Sequence, residues 1–219
     1  MVADIAHIFL TDAQDMLPPA REEEHADYFA TLVARAGTGD ALAFERIMLA
    51  TEQRVVSIAW RMLGNREDAS DAAQEVYLRV FKYLARFRAG EDFRGWLYRI
   101  TINVCHDISR KRRLTTMTQF EEIDFGQERM AVEAAGSGGN PEALALHAQQ
   151  LALVRRALQS LPVKERAALV LRDLEGLSTE EVARVLGSRP VTVRSQISSA
   201  RGKIKTYCDK LLRQRGVQQ

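Results

Sequence analysis

The sequence predicts an all-α protein of two helical domains joined by a flexible acidic linker, the C-terminal one a helix-turn-helix. Three observations carry this expectation. Gly (13) and Pro (5) are few among the 219 residues, and the segments are rich in Ala, Leu, Glu and Arg, which favour helix over strand. Apolar residues recur at helical spacing on both sides of a central gap. The gap itself, residues 114–142, is acidic and closes on the Gly/Ser/Asn/Pro cluster "GSGGNP", a linker composition.

Residues 1–27 lack sustained periodicity and read as an acidic, poorly ordered leader. From Asp40, a plausible N-cap, Phe44, Ile47, Met48, Val55, Ile58, Ala59 and Met62 fall on one helical face. "LGN" at 63–65 breaks the pattern, and a second helix follows from about Arg66 to Phe87. Its buried stripe is expected at Ala69, Ala72, Ala73, Val76, Val80, Tyr83 and Leu84. "RAGED" is a loop, and a third helix from about Phe93 to Arg113 turns Trp96, Leu97, Ile100, Val104 and Ile108 inward. These make a first domain over 28–113. Beyond the linker, a helix with Leu144, Leu151, Val154 and Leu158 on one side opens a second domain over 143–215. A short helix over 163–173 follows.

The stretch "LSTEEVARVLGSRPVTVRSQISSARGKI" is the most informative. Ser178 and Glu181 form a capping box, which starts a helix at Thr179. Gly187 supplies a left-handed turn residue, and Pro190 suits the first position of the next helix. Val193 and Ile197 are spaced to pack inward, which leaves Thr192, Arg194, Ser195, Gln196 and Ser199 facing out. Hydroxyls, an amide and a guanidinium at a helix start reach base edges and phosphates in a major groove. Arg201, Lys203 and Lys205 extend the basic surface.

The charge distribution agrees with this. The net charge of +2 averages opposite blocks: residues 1–30 hold seven acids against one base, and residues 184–215 hold nine bases against Asp209 alone. A basic end of this kind points to a polyanionic partner. Cys105 and Cys208 lie far apart with no CxxC spacing, which suits a reducing cytoplasm. No stretch approaches the roughly 20 apolar residues of a membrane span.

In the first domain, Asp68, Asp71, Glu75 and Leu78 step by three or four residues, with Gln74 alongside. The patch reads either as a solvated face or as a dock for a basic helix. The third helix opens on "FRGWLYR", carries Arg99, Asn103, His106, Asp107 and Arg110 on its non-core face, and ends in "RKRR". Aromatics interleaved with bases are what single-stranded DNA grips use, although Phe93 and Trp96 also fit the core. Catalytic readings fare poorly. The four histidines are scattered, Cys105 and His106 diverge by about 100° on a helix, and no H-E-x-x-H, glycine-rich phosphate loop or G-x-S-x-G is present. No catalytic residue, metal or cofactor is expected.

"DASDAAQEVYLRVF", "FRGWLYRITINVCHDISRKRR" and "LQSLPVKERAALVLRDLEGLSTEEVARVLGSRPVTVRSQISSARGKI" resemble, in order and spacing, the bacterial extracytoplasmic-function sigma factors of the sigma-70 family. The resemblance covers about residues 30–113 and 144–210. It implies a promoter-specificity subunit whose region 2-like domain grips core RNA polymerase and melts the minus-ten element. The region 4-like domain would read the minus-thirty-five duplex. It implies a polymerase-binding role for Asp68, Asp71, Gln74, Glu75 and Leu78. Minus-ten contacts are implied for Arg94, Trp96, Arg99, Asn103, Arg110, Lys111 and Arg112. Minus-thirty-five contacts are implied for Thr192, Arg194, Ser195, Gln196, Ser199, Arg201 and Lys203. It also implies an anti-sigma factor as a partner, and a linker whose Glu121, Glu122, Asp124 and Glu128 lie in the path of nascent RNA. Against the family's usual recognition helix, Val191 stands for a glycine, Gln196 and Ser199 for arginines, and the proline sits one place later. The competing expectation is a helix-turn-helix regulator that acts without polymerase; a nucleic-acid enzyme is the weaker third.

Overall fold

The computed structural model describes residues 22–88, 90–118 and 152–216. Helix α1 (Glu22–Gly37) begins earlier than the leader boundary expected at residue 27.

Helix α2 (Ala41–Leu63) is capped by Asp40, whose carboxylate accepts from the Ala43 N–H at 3.0 Å. Arg35 also donates to that carboxylate, and both bonds hold the acid below its usual pKa. Gly64 ends α2 at φ 84°, and Asn65 then caps α3 (Arg66–Tyr83). The chain tightens into a 3-10 turn over Leu84–Arg86, which overturns the expected run to Phe87. The tightening also rotates Tyr83 outward to 39% exposure, and Tyr77 is the tyrosine that the stripe buries. The Tyr77 hydroxyl pairs with Thr51 of α2 at 2.9 Å.

Helix α4 (Phe93–Thr118) lies against α2 and α3 and continues into the stretch expected to be linker. Leu97, Tyr98, Ile102 and Val104 are buried, whereas Trp96, Ile100 and Ile108 are only partly covered. Residues 119–151 lie outside the described part, and with them Leu144, Leu151 and the linker acids Glu121, Glu122, Asp124 and Glu128.

The C-terminal domain starts with a helix over 152–159, here α5. Helix α6 (Val163–Leu169) passes directly into a π turn over Val170–Leu174, where a plain helix to 173 was expected. Helix α7 (Thr179–Leu186) and helix α8 (Pro190–Gly216) complete it. No strand occurs among the described residues.

The two domains are packed on one another. Their buried side chains form one continuous cluster that runs from Leu32 to Ala200. Helix α4 lies against α7, and α2 against α6 and the π turn.

Candidate nucleic-acid interface

The helix-turn-helix follows its local signals closely. The Ser178 hydroxyl accepts from the Glu181 N–H at 3.2 Å, and the Glu181 carboxylate accepts from the Ser178 N–H at 2.7 Å. Those bonds hold Glu181 below the usual carboxylate range. Gly187 takes φ 59°, the left-handed turn, and α8 starts at Pro190. Val193, Ile197 and Ala200 are buried against the domain, so Thr192, Arg194, Ser195 and Ser199 face out as expected.

Gln196 departs from that expectation. It is half-buried, and its amide oxygen is enclosed with no hydrogen-bond partner. The 100° step per residue sets it between the buried line of Val193, Ile197 and Ala200 and the solvent. The basic groups are also engaged within the chain. Arg194 reaches Glu180 at 3.4 Å, Arg201 grips Asp173 through two bonds of 2.9 and 2.6 Å, and Lys203 holds Glu165 at 2.7 Å. The Ser199 hydroxyl donates to Glu165 at 3.3 Å. The Arg194–Glu180 pair is exposed on both sides, and such pairs contribute about 0–1 kcal/mol, so exchanging that carboxylate for a phosphate costs little.

At the start of α4, Phe87, Phe93 and Trp96 stack with ring centroids 5.2 to 5.6 Å apart, and Phe29 of α1 closes the cluster on Phe93. Phe93 is core, whereas Trp96 keeps a half-open face. Arg94, Arg99, Asn103, Arg110, Lys111 and Arg112 are exposed along α4. Arg112 is bonded to Asp68 of α3, and Arg110 lies 3.5 Å from Asp107. The structure therefore joins one residue expected to contact DNA to one expected to contact polymerase.

Along α3, Asp71, Gln74 and Leu78 are exposed, and Glu75 is half-buried. Asp68 is partly covered by its bonds to Asn65 and Arg112. Arg79 bridges Glu75 at 2.7 Å and Asp107 of α4 at 3.2 Å, which fixes the patch to the helix behind it. Leu78 and Phe81 are both 67% exposed, and Phe81 meets Phe44 edge-on at 5.2 Å. Phe81 adds an apolar group to the patch that was not among the expected residues. Its place on the helix, three residues beyond Leu78, is the signal for it.

The junction between the domains holds the polar groups that sequence reasoning missed. Arg166 of α6 is 6% exposed and donates to the Met62 carbonyl at the end of α2. It also donates to the Gln159 and Leu161 carbonyls at 2.9 and 3.0 Å. Burial lowers its pKa to about 10. Gln159 donates to the Arg61 carbonyl at 3.2 Å, and Glu175 takes Arg61 of α2 and Tyr98 of α4 as partners. Among the described residues, no group of three or more His, Cys, Asp and Glu side chains could hold a metal ion. Nor is any described helix long and apolar enough to cross a membrane.

Comparison with known proteins agrees with this layout. Residues 47–115 match the family model for sigma-70 region 2, and residues 151–204 match that for sigma-70 region 4. The chain is 34% identical to the ECF RNA polymerase sigma factor SigE of Mycolicibacterium smegmatis over 209 residues, 94% of this chain and 76% of that protein. It is 33% identical to the ECF RNA polymerase sigma-E factor of Escherichia coli K12 over 192 residues, 83% of this chain and 95% of that protein. The solved structure of CnrH, in complex with the cytosolic domain of CnrY, aligns with a TM-score of 0.61 at 25% identity, over 83% of this chain and 97% of that one. Two sigma-70 regions in order on an all-helical chain, with relatives that run nearly its whole length, place this protein in the extracytoplasmic-function group of the sigma-70 family.

Proposed function

We propose that the protein is a promoter-specificity subunit that acts in the cytoplasm: it binds core RNA polymerase and directs transcription initiation through two DNA-reading faces. The observation that carries this reading is the pairing, on one chain, of the basic α8 face with the α4 face and its half-open Trp96. Duplex DNA accepts an α-helix in its major groove. Unpaired bases need rings to stack on and cations along their backbone. Each face suits one of these two forms of DNA.

In this reading Asp68, Asp71, Gln74, Glu75 and Leu78 dock on polymerase, with Phe81 as an added apolar contact. Arg94, Trp96, Arg99, Asn103, Arg110, Lys111 and Arg112 serve the melted minus-ten strand. Thr192, Arg194, Ser195, Gln196, Ser199, Arg201 and Lys203 serve the minus-thirty-five duplex. A further protein partner, which we take to be an anti-sigma factor, is in keeping with CnrH, which was solved in complex with the cytosolic domain of CnrY.

Run-off transcription with purified core polymerase on a promoter library tests the function and reads both recognition sequences at once. The double variant Asp71→Lys/Glu75→Lys is expected to lose polymerase binding, because it reverses the charge of the exposed α3 face. Duplex binding by the unmodified protein with no polymerase binding to lose would favour a regulator that uses the helix-turn-helix alone.

A further inference from the structure

Glu175 stands just past the π turn, and its side chain is 4% exposed. The groups around its carboxylate come from the N-terminal domain. Arg61 Nη1 lies 2.8 Å from Oε1 and Arg54 Nε 3.6 Å from Oε2, while the Tyr98 hydroxyl donates to Oε2 at 3.2 Å. Arg94 adds its charge from the start of α4. Arg54 and Arg61 are seven residues apart, so two turns of α2 put both on one side. The cradle therefore belongs to one domain and its occupant to the other.

Two guanidinium groups and a hydroxyl around a carboxylate form a donor set that phosphate oxygens satisfy equally well. Burial raises the Glu175 pKa despite its arginines, so enclosing the charge costs more than the neighbours return. Position also favours a nucleic-acid phosphate. Arg94 belongs to the proposed minus-ten face and also acts on Glu175, and it lies 3.8 Å from Glu181 of α7. A side-chain carbon at Gly95 would meet Val185 of α7 at 3.8 Å, and one at Gly187 would meet Arg99 at 3.4 Å. The closed junction thus lays α7 against the beginning of the α4 face.

From this we infer that Arg54, Arg61 and Tyr98 form a binding site for a backbone phosphate of single-stranded promoter DNA, which Glu175 fills from within the chain while the domains are closed. The inference rests on the proposed reading of the protein as a promoter-binding factor. Separation of the domains withdraws Glu175 and leaves the cradle, next to Arg94, for the incoming strand.

The test uses the full-length chain, a fluorescent single-stranded oligonucleotide at several salt concentrations, and small-angle X-ray scattering. Glu175→Ala is expected to expand the molecule, bind the oligonucleotide more tightly and steepen its salt slope by about 0.7, the share of one phosphate on a single strand. Glu175→Ala/Arg54→Gln/Arg61→Gln should be as expanded, yet its slope should return to the parental value. Glu175→Ala/Lys82→Gln/Arg86→Gln, with the same loss of charge elsewhere, should keep the steep slope. Equal binding by the first two variants overturns the site, as does a Glu175→Ala protein that neither expands nor binds more tightly. Should the Arg61 change prevent folding, Glu175→Ala/Arg54→Gln, altered at a side chain 40% exposed, should bind the oligonucleotide less tightly than Glu175→Ala. Failure of the unmodified protein to support run-off transcription would overturn the promoter reading instead, whatever the oligonucleotide series gives.

Discussion

Arg194 is the first arginine within α8, it is exposed, and its partner within the chain is Glu180 at 3.4 Å. An exposed pair of this kind is weak, so a DNA phosphate can displace it. Arg194→Ala is expected to weaken minus-thirty-five binding and lower the salt slope by about 0.9, one phosphate's share on duplex DNA. An unchanged slope in a salt titration would remove that role. Arg201 and Lys203 are tied more closely, to Asp173 and Glu165. Gln196 illustrates how far a single residue can be read in advance. The sequence places it one step from Ile197, and nothing local decides whether its amide turns outward to a base or inward. In the structure the amide oxygen is enclosed without a partner. An unpaired buried acceptor costs about 1–3 kcal/mol, a cost that turning the amide out toward a base would relieve.

Among the elements, α7 rests most on a local device. Ser178→Ala removes one of the two reciprocal cap bonds and should cost about 1 kcal/mol of stability, read as a lowered midpoint in thermal unfolding. The cap also carries a pH signature. Glu181 is depressed by its bonds to Ser178, so its contribution is present above the ordinary glutamate value and is lost as pH falls through the depressed one. The unfolding midpoints of the parent and of Glu181→Ala should therefore converge in acid. The cap, Gly187 and Pro190 were all legible in the sequence because each signal lies within four residues of the structure it produces. The ends of α3 and α4 were not. Tyr83 shares the apolar period of its helix, yet the helix tightens there, and α4 runs on to Thr118 through residues that composition assigns to a linker. The π turn at Val170–Leu174 has no sequence signature, and it sets where Glu175 emerges.

At the scale of the whole molecule, the two helical domains and the exposed faces of α4 and α8 were legible, but the contact between the domains was not. Tyr98, Gln159, Arg166 and Glu175 become a junction only through partners about 75 to 115 residues apart in the chain, a separation that no periodicity reports. Two groups there respond to protons in opposite senses. Glu175 faces Arg61, Arg54, Tyr98 and Arg94, and burial raises its pKa. Its contribution to closure is therefore present below the ordinary glutamate value and is lost as pH rises through the raised one. His106 is half-buried beside Asp107, Lys164 and Arg166, and burial lowers its pKa. Its contribution is present above the ordinary imidazole value and is lost as pH falls through the lowered one. The two partly cancel in the unmodified chain. His106→Gln should unmask the glutamate, so that the radius of gyration grows more steeply from acid to neutral pH than in the parent. Identical scattering profiles in the two proteins would remove His106 from this balance.

The buried cluster that runs unbroken from Leu32 to Ala200 has a consequence for how such a factor is switched on. Parting the domains uncovers apolar surface from both sides, and water penalises that exposure by about 25 cal/mol for each Å². The extended form is therefore a debt that the free chain holds only briefly, unless another macromolecule covers the exposed faces. Under the proposed function, a polymerase that shelters the parted surfaces would also keep the reader extended. Any protein that instead clamps the folded pair needs to supply very little, because the chain already leans toward closure.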